Sequence, residues 1–271
     1  MGFLPDISAY FRRIGYSGAA TPNLETLRAI LLNHIQAIPF ENLNVLLGKP
    51  VSLEPADLEQ KLVRSGRGGY CFEQNGYLLE VLLALGFKAT PHSARVRLQT
   101  PRDVTPPRTH LFVRVELDGT AWLCDVGIGA FSPGAPLRMN LLQEEQPALE
   151  PRRITQEGGR YFHQIRLGQE WSDVYEFTGE DMPRIDRELA NYYTSTNPSS
   201  RFKNHLLVGR AGSDGTRYSI LDREFTHRKG PEILTRRELK TEAELRQHLA
   251  DYFALHVDPD APLILPAAHG S

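Results

Sequence analysis

An Asp-Gly pair flanked on both sides by alternating apolar residues constrains this chain more than any other feature. The run from His110 through Asp118-Gly119 to Val126 reads as two antiparallel strands joined by a two-residue type I′ turn, since both central residues of that turn need positive φ. Such a turn sets the register: Leu117 faces Thr120, Val113 faces Cys124, Phe112 faces Asp125 and His110 faces Gly127. Side chains alternate between faces, so Leu111, Val113, Val115 and Leu117 share an apolar face with Trp122, Cys124 and Val126. His110 and Asp125 fall together on the other face. They are diagonal neighbours with Cα atoms about 7–8 Å apart, within range of an imidazole-to-carboxylate hydrogen bond. Cys124 is placed in the core.

The second informative element is the other cysteine. Cys71 follows Arg67-Gly68-Gly69-Tyr70 and opens a strongly apolar segment that reads as a helix to Leu85, closed by Gly86. Unsatisfied N–H groups and the positive end of the helix dipole would then face its sulfur, an environment that favours a thiolate. The paired glycines permit close approach of another backbone or a substrate. Taken singly, a His beside an Asp on a hairpin is more often a polar pair than a catalytic one, and a lone cysteine on an apolar helix is more often inert. Together they turn the balance to a nucleophile. A Cys at a helix start with a His and an acid on strands is the papain-type arrangement: Cys71 attacks a carbonyl or thioester carbon, His110 moves its proton, Asp125 holds the imidazole, and the Cys71 backbone N–H is the natural oxyanion donor.

The rest of the chain supplies the setting. The first 87 residues read as helical, with Thr21-Pro22 as a helix start before Leu24, Leu27, Leu31 and Ile35, and a second helix from Pro55 to Arg64. Beyond Lys88 come short strands, including Arg95 to Leu98, Tyr161 to Leu167 and Trp171 to Phe177, with Gly129 to Pro151 as a long surface excursion. The end returns to mixed structure, with strands Leu206 to Gly209 and Arg217 to Leu221 and a helix opened by the capping box Thr241-x-x-Glu244. Helices, then strands, then a small α/β unit indicate an α+β fold.

Composition excludes several classes. With 271 residues, 41% hydrophobic and 24% charged, the chain is long enough for two or three domains and is neither disordered, collagenous nor coiled coil. A net charge of −2 gives no basic field for nonspecific nucleic-acid binding. Met1 to Tyr10 lacks a basic region followed by an apolar run, and Leu78 to Phe87 is too short to span a bilayer, so the expectation is a cytoplasmic protein without membrane partners. Two cysteines make no disulfide framework and no zinc spacing, so no metal is expected.

At this point the residues resemble the arylamine N-acetyltransferase family. The resemblance rests on Arg67-Gly68-Gly69-Tyr70-Cys71-Phe72-Glu73-Gln74-Asn75, Ile38-Pro39-Phe40-Glu41-Asn42-Leu43, Thr109-His110 and Asp125-Val126-Gly127. It implies a papain-like (cysteine-proteinase-like) core built from an N-terminal helical bundle (1–87), a β-barrel (88–195) and a C-terminal α/β lid (196–271). It also implies a Cys71-His110-Asp125 triad and ping-pong transfer from acetyl-CoA to an arylamine, hydrazine or N-hydroxyarylamine. By similarity Phe40 and Phe202 wall the acceptor pocket, Thr109 lies in the acceptor site, and Tyr193 and Ser199 match positions that contact CoA in some members. Where many members have Asp-Val-Gly-Phe-Gly this chain has Ile128, which reduces the aromatic clamp if that side chain lines the pocket.

The residues suit such substrates. Arg95, Arg97, Arg102 and Arg108 precede His110, and Arg201 and Lys203 follow Tyr193; such clusters are usually solvated faces, yet an anionic co-substrate needs cations near its phosphates. No phosphate-cradling glycine loop is present. The alternatives are a cysteine hydrolase or transglutaminase-like amide transferase using the same triad, or a noncatalytic binding module, with a monomer or homodimer expected in each case.

Overall fold

The computed structural model describes residues 2–139, 144, 149–261 and 263. The chain begins with α1 (Ile7–Ile14), whose first turn is capped by the Asp6 carboxylate accepting from the Ala9 N–H at 2.9 Å. The next helix, α2 (Leu24–Ala37), starts later than Thr21-Pro22 suggests: Asn23 is the cap, its side-chain oxygen accepting from the Thr26 N–H at 2.8 Å. Leu27, Leu31 and Ile35 are buried on one face of it. A two-residue strand, β1 (Phe40–Glu41), and a short helix, α3 (Leu43–Leu46), follow. The Pro55 helix holds its span but changes pitch, with α4 (Pro55–Glu59) continuing as a π-turn over Gln60–Arg64. Then comes α5 (Cys71–Ala84), and Gly86 takes φ +87° beyond its end.

A seven-stranded antiparallel sheet comes next: β2 (Lys88–Val96), β3 (His110–Leu117), β4 (Thr120–Cys124), β5 (Leu137–Arg138), β6 (Arg152–Glu157), β7 (Arg160–Leu167) and β8 (Glu170–Phe177). Its order is β5-β4-β3-β2-β8-β7-β6, and the edge strands β5 and β6 approach each other, so the sheet curls almost into a barrel. The hairpin register is the one a two-residue turn demands, with Val113 opposite Cys124 and Leu117 opposite Thr120. The β2 strand is much longer than Arg95 to Leu98 because it runs through Pro91, a residue that usually argues against a strand yet here pairs with Val113.

Both faces of this sheet are buried. Val113, Val115, Trp122, Cys124 and Val126 pack onto α2 and α5 in the main core, while Phe112 and Leu123 join Ile165, Val174, Tyr175 and Phe177 inside the curl. Leu111 departs from the shared face's cluster and packs with Tyr70, Cys71 and Phe72. The stretch after Gly129 is no mere surface excursion: a half-buried 3-10 turn spans Gly129–Phe131, and Ser132, Leu137 and Glu150 are buried. Residues 140–143 and 145–148 of that stretch lie outside the described residues.

The chain then forms α6 (Arg184–Thr196) and α7 (Arg201–Asn204), neither apparent from periodicity. A second antiparallel sheet contains β9 (Leu207–Ala211), β10 (Thr216–Leu221), β11 (Glu224–Lys229) and β12 (Glu232–Glu238), with β1 completing its edge in the order β1-β9-β10-β11-β12. The final helix, α8 (Glu242–Phe253), packs Leu245, Leu249 and Phe253 against that sheet. Thr241 caps it at 3.2 Å, while Glu244 reaches back to the Lys240 N–H at 2.6 Å rather than to Thr241.

Candidate active site

Three elements converge where α5 begins. Cys71 is the first residue of α5, and the Glu73 carboxylate steadies this turn by accepting from the Tyr70 N–H at 3.0 Å. The glycines ahead of it serve close packing. A Cβ on Gly68 would stand 2.0 Å from the Pro39 carbonyl oxygen, and one on Gly69 would stand 2.6 Å from the Glu73 carboxylate. Gly69 also bridges to Phe40 of β1, so the approach to Cys71 is held against the N-terminal edge strand.

His110 opens β3, and its Nε2 lies 2.8 Å from Asp125 Oδ2. With Nε2 engaged, Nδ1 is the nitrogen left for the Cys71 side, and the Cys71 thiol lies 3.5 Å from the Thr109 carbonyl oxygen beside it. Both His110 and Asp125 are fully buried. Burial opposes charge on the imidazole, but the Asp125 carboxylate and the Cys71 sulfur outweigh it and push His110 up to about 10. Burial likewise opposes charge on Asp125, and His110, Asn75 and the Gly127 N–H together hold its carboxyl below the usual range. The arrangement therefore favours a protonated imidazole between the Asp125 carboxylate and the Cys71 sulfur.

Two supports carry no role in the sequence reading. Asn75 lies one turn after Cys71 on the same face of α5; its Nδ2 donates to Asp125 Oδ1 at 2.8 Å and to the Leu111 carbonyl at 2.6 Å, and its Oδ1 accepts from the Val126 N–H at 3.0 Å. The spacing of four from the cysteine was the available signal. Tyr175 of β8 lays its ring 4.9 Å from the His110 ring, a contact between segments 65 residues apart in sequence that no local pattern announces. Below them Gln74 ties the Pro39 and Gly69 carbonyls to α5 at 3.0 and 2.6 Å, and burial drives the adjoining His34 down to about 3, keeping it neutral.

Cys71 and His110 open onto a cavity of about 570 Å³. Phe40, Thr109, Ile128, Phe202, Tyr193 and Ser199 all line it. Phe40 and Phe202 face each other with ring centroids 6.1 Å apart, and Tyr70 packs on Phe202 at 5.3 Å. Ile128 is largely buried and also packs into the barrel core. Tyr193 sits at the mouth on α6, which is tied down by Asn191 bonding the Tyr70 hydroxyl and the Val51 carbonyl. Asp125 stands behind His110, outside the cavity lining. The C-terminal sheet closes the opposite side with Gly209, Ser219, Thr226 and Arg228.

The fold and this site define an acyltransferase with a papain-like core. An N-acetyltransferase family model matches residues 23–262. The chain is 39% identical to the arylamine N-acetyltransferase of Escherichia coli over 94% of its own length and 90% of that protein. It is 34% identical to the arylamine N-acetyltransferase / N-hydroxyarylamine O-acetyltransferase of Salmonella typhimurium, covering 93% and 89%. Among solved structures, the Salmonella typhimurium arylamine N-acetyltransferase aligns with a TM-score of 0.89 at 33% identity over 94% of this chain and 93% of that one. The Mycobacterium marinum arylamine N-acetyltransferase in complex with CoA aligns with a TM-score of 0.88 at 35% identity over 92% of each. The chain belongs to the arylamine N-acetyltransferase family.

Proposed function

We propose that this protein transfers an acetyl group from acetyl-CoA to an arylamine, hydrazine or N-hydroxyarylamine through a thioester on Cys71, in a ping-pong sequence. The observation that carries the reading is the joint opening of Cys71 and His110, backed by buried Asp125, onto one cavity walled by Phe40 and Phe202. The Cys71 sulfur, its proton passed to His110, attacks the acetyl carbonyl carbon. The oxyanion that forms is held by the Cys71 backbone N–H at the start of α5. Collapse breaks the carbon–sulfur bond to CoA, whose thiolate leaves with the proton from His110, and Cys71 keeps the acetyl group. His110, now neutral, takes a proton from the incoming amine as its nitrogen attacks the thioester, and Cys71 thiolate departs. Asp125 fixes the ring and balances its charge in the protonated steps.

A flat, largely neutral aromatic amine suits walls made by Phe40 and Phe202, with Thr109 and Ile128 bordering the reacting centre and Tyr193 and Ser199 at the donor end. No metal enters this scheme. A monomer or a homodimer can carry this scheme, and two buried free thiols suit a reducing cytoplasm. Among the described residues no helix is long and apolar enough to cross a membrane.

Mixing the protein with acetyl-CoA and no acceptor tests the scheme. A single acetyl group of about 42 Da on the Cys71 peptide, with stoichiometric CoA release, is the expected result. No adduct and no burst from a folded protein, with turnover of simple esters instead, would make it a hydrolase. Cys71→Ser should keep the fold and lose transfer.

A further inference from the structure

We infer that a second pocket, walled by Arg95, Arg108 and Arg160 and separated from the catalytic cavity by the segment 105–109, binds a phosphate group. The four arginines ahead of His110 divide into two kinds. Arg97 is buried and donates twice to Glu176 Oε2, at 3.0 and 2.8 Å, and Arg102 forks onto Asp173 at 2.7 and 3.0 Å. Those two are structural. Arg95 makes no salt bridge among the described residues; its guanidinium is held by the Pro106 carbonyl at 2.6 Å. Among the described residues Arg108 pairs only with Glu180, at 3.4 Å and in solvent.

Arg95, Arg108 and Arg160 line a cavity of about 280 Å³ with Glu176. Glu176 is already engaged by Arg97 and by Arg160, the latter at 3.1 Å. Among the described residues Arg95, Arg97, Arg108 and Arg160 thus stand around Glu176 and Glu180, with the Asp173 carboxylate also acting on Arg97. At Arg95 burial and the charges of Arg108 and Arg97 outweigh the pull of Glu176 and Glu180 and lower its affinity for a proton. An oxyanion with several oxygens and two negative charges matches forked donors arriving from two strands and a loop. Thr105 and Arg108 face this pocket while Pro106, Pro107 and Thr109 face the catalytic cavity, so the phosphate is either carried by the acyl donor around that wall or a free ion bound beside it.

Two measurements on the full chain separate these sources. The first is the Tm with inorganic phosphate against chloride at matched ionic strength, which does not depend on acetyl transfer; the second, which rests on CoA as donor, compares KM for acetyl-CoA and its 3′-dephospho analogue. Phosphate should raise Tm, and Arg108→Gln, an exposed change that spares the fold, should abolish the rise; Arg95→Gln should do the same. A KM about tenfold higher for the dephospho donor, reduced to parity in Arg108→Gln, identifies the donor's phosphate. Equal KM values with the Tm effect intact identify a free ion. If phosphate stabilises no more than chloride and both donors have equal KM, the inference is overturned, whether or not Cys71 acetylates.

Discussion

Asn75 Nδ2 donates to Asp125 Oδ1 at 2.8 Å from a position one helical turn beyond Cys71. The same amide also holds the Leu111 carbonyl and the Val126 N–H, so one side chain pins the cysteine helix to both strands of the hairpin. Cys71 and His110 sit on separate elements, and this amide links the two.

Replacing Asn75 with Ala leaves a buried carbonyl and a buried N–H without partners and should destabilise the fold by about 1–3 kcal/mol, read from urea midpoints. Acetylation of Cys71 should slow by more than stability alone explains when measured well below the midpoint. Asn75→Asp should be worse, because it sets a second carboxylate against Asp125.

Gly127→Ala tests the closeness of hairpin and helix. A Cβ there would lie 2.8 Å from Cys71 Cα and 2.6 Å from Asn75 Nδ2, both on α5, so the strand must withdraw. Loss of transfer with the secondary structure retained by circular dichroism is the expected outcome. Wild-type kinetics would mean that the two elements have slack between them.

The pH dependence of stability carries a signature of the His110–Asp125 pair. His110 is raised from 6.5 to about 10, so its contribution is complete below pH 6.5 and is lost as pH climbs to 10. Asp125 is depressed, so its contribution is present above its unfolded value and is lost as pH falls through its folded one. Between pH 6.5 and 10 the wild type should therefore lose stability with a slope that His110→Gln lacks, measured by urea unfolding at each pH.

Glu150 is buried among Arg152, Arg217 and Arg228, at 3.2, 2.7 and 3.0 Å, and although burial opposes its charge the arginines draw it down to about 2. Glu150→Gln strands buried guanidiniums and should cost about 3–5 kcal/mol. In the wild type this stabilisation is complete above pH 4.5 and fades as pH falls toward 2, so acid titration should unfold the protein more steeply than it unfolds an already weakened Glu150→Gln.

What the sequence discloses and what it hides divide along physical lines. The hairpin was legible because Asp118-Gly119 enforces a register that survives in the fold, with both residues at positive φ. Cys71 at the start of α5 was legible from the glycine break before an apolar run. The α6 helix was not, because its apolar residues Ile185, Leu189 and Tyr192 face solvent and its buried ones are Asn191 and Thr194, the reverse of the usual pattern. The β12 strand escaped notice for a similar reason, being exposed along its whole length. Glu150 sat in a stretch that reads as loop, and its partner Arg217 is 67 residues away. Local chemistry speaks through spacing, whereas a buried charge declares itself only when distant segments meet.

The strand β1 completes the C-terminal sheet by pairing Phe40 with Gly209, and Phe40 also bridges to Gly69 just ahead of Cys71. During synthesis the helices and the first strand of that junction leave the ribosome long before its partner exists. Cys71 is thus made early, and the cavity beside it is closed last, when the C-terminal sheet supplies Gly209, Ser219, Thr226 and Arg228. Truncation before β9 would remove that wall and leave the Cys71 side of the cavity without its C-terminal cover, so the last segment made is the one that encloses the site.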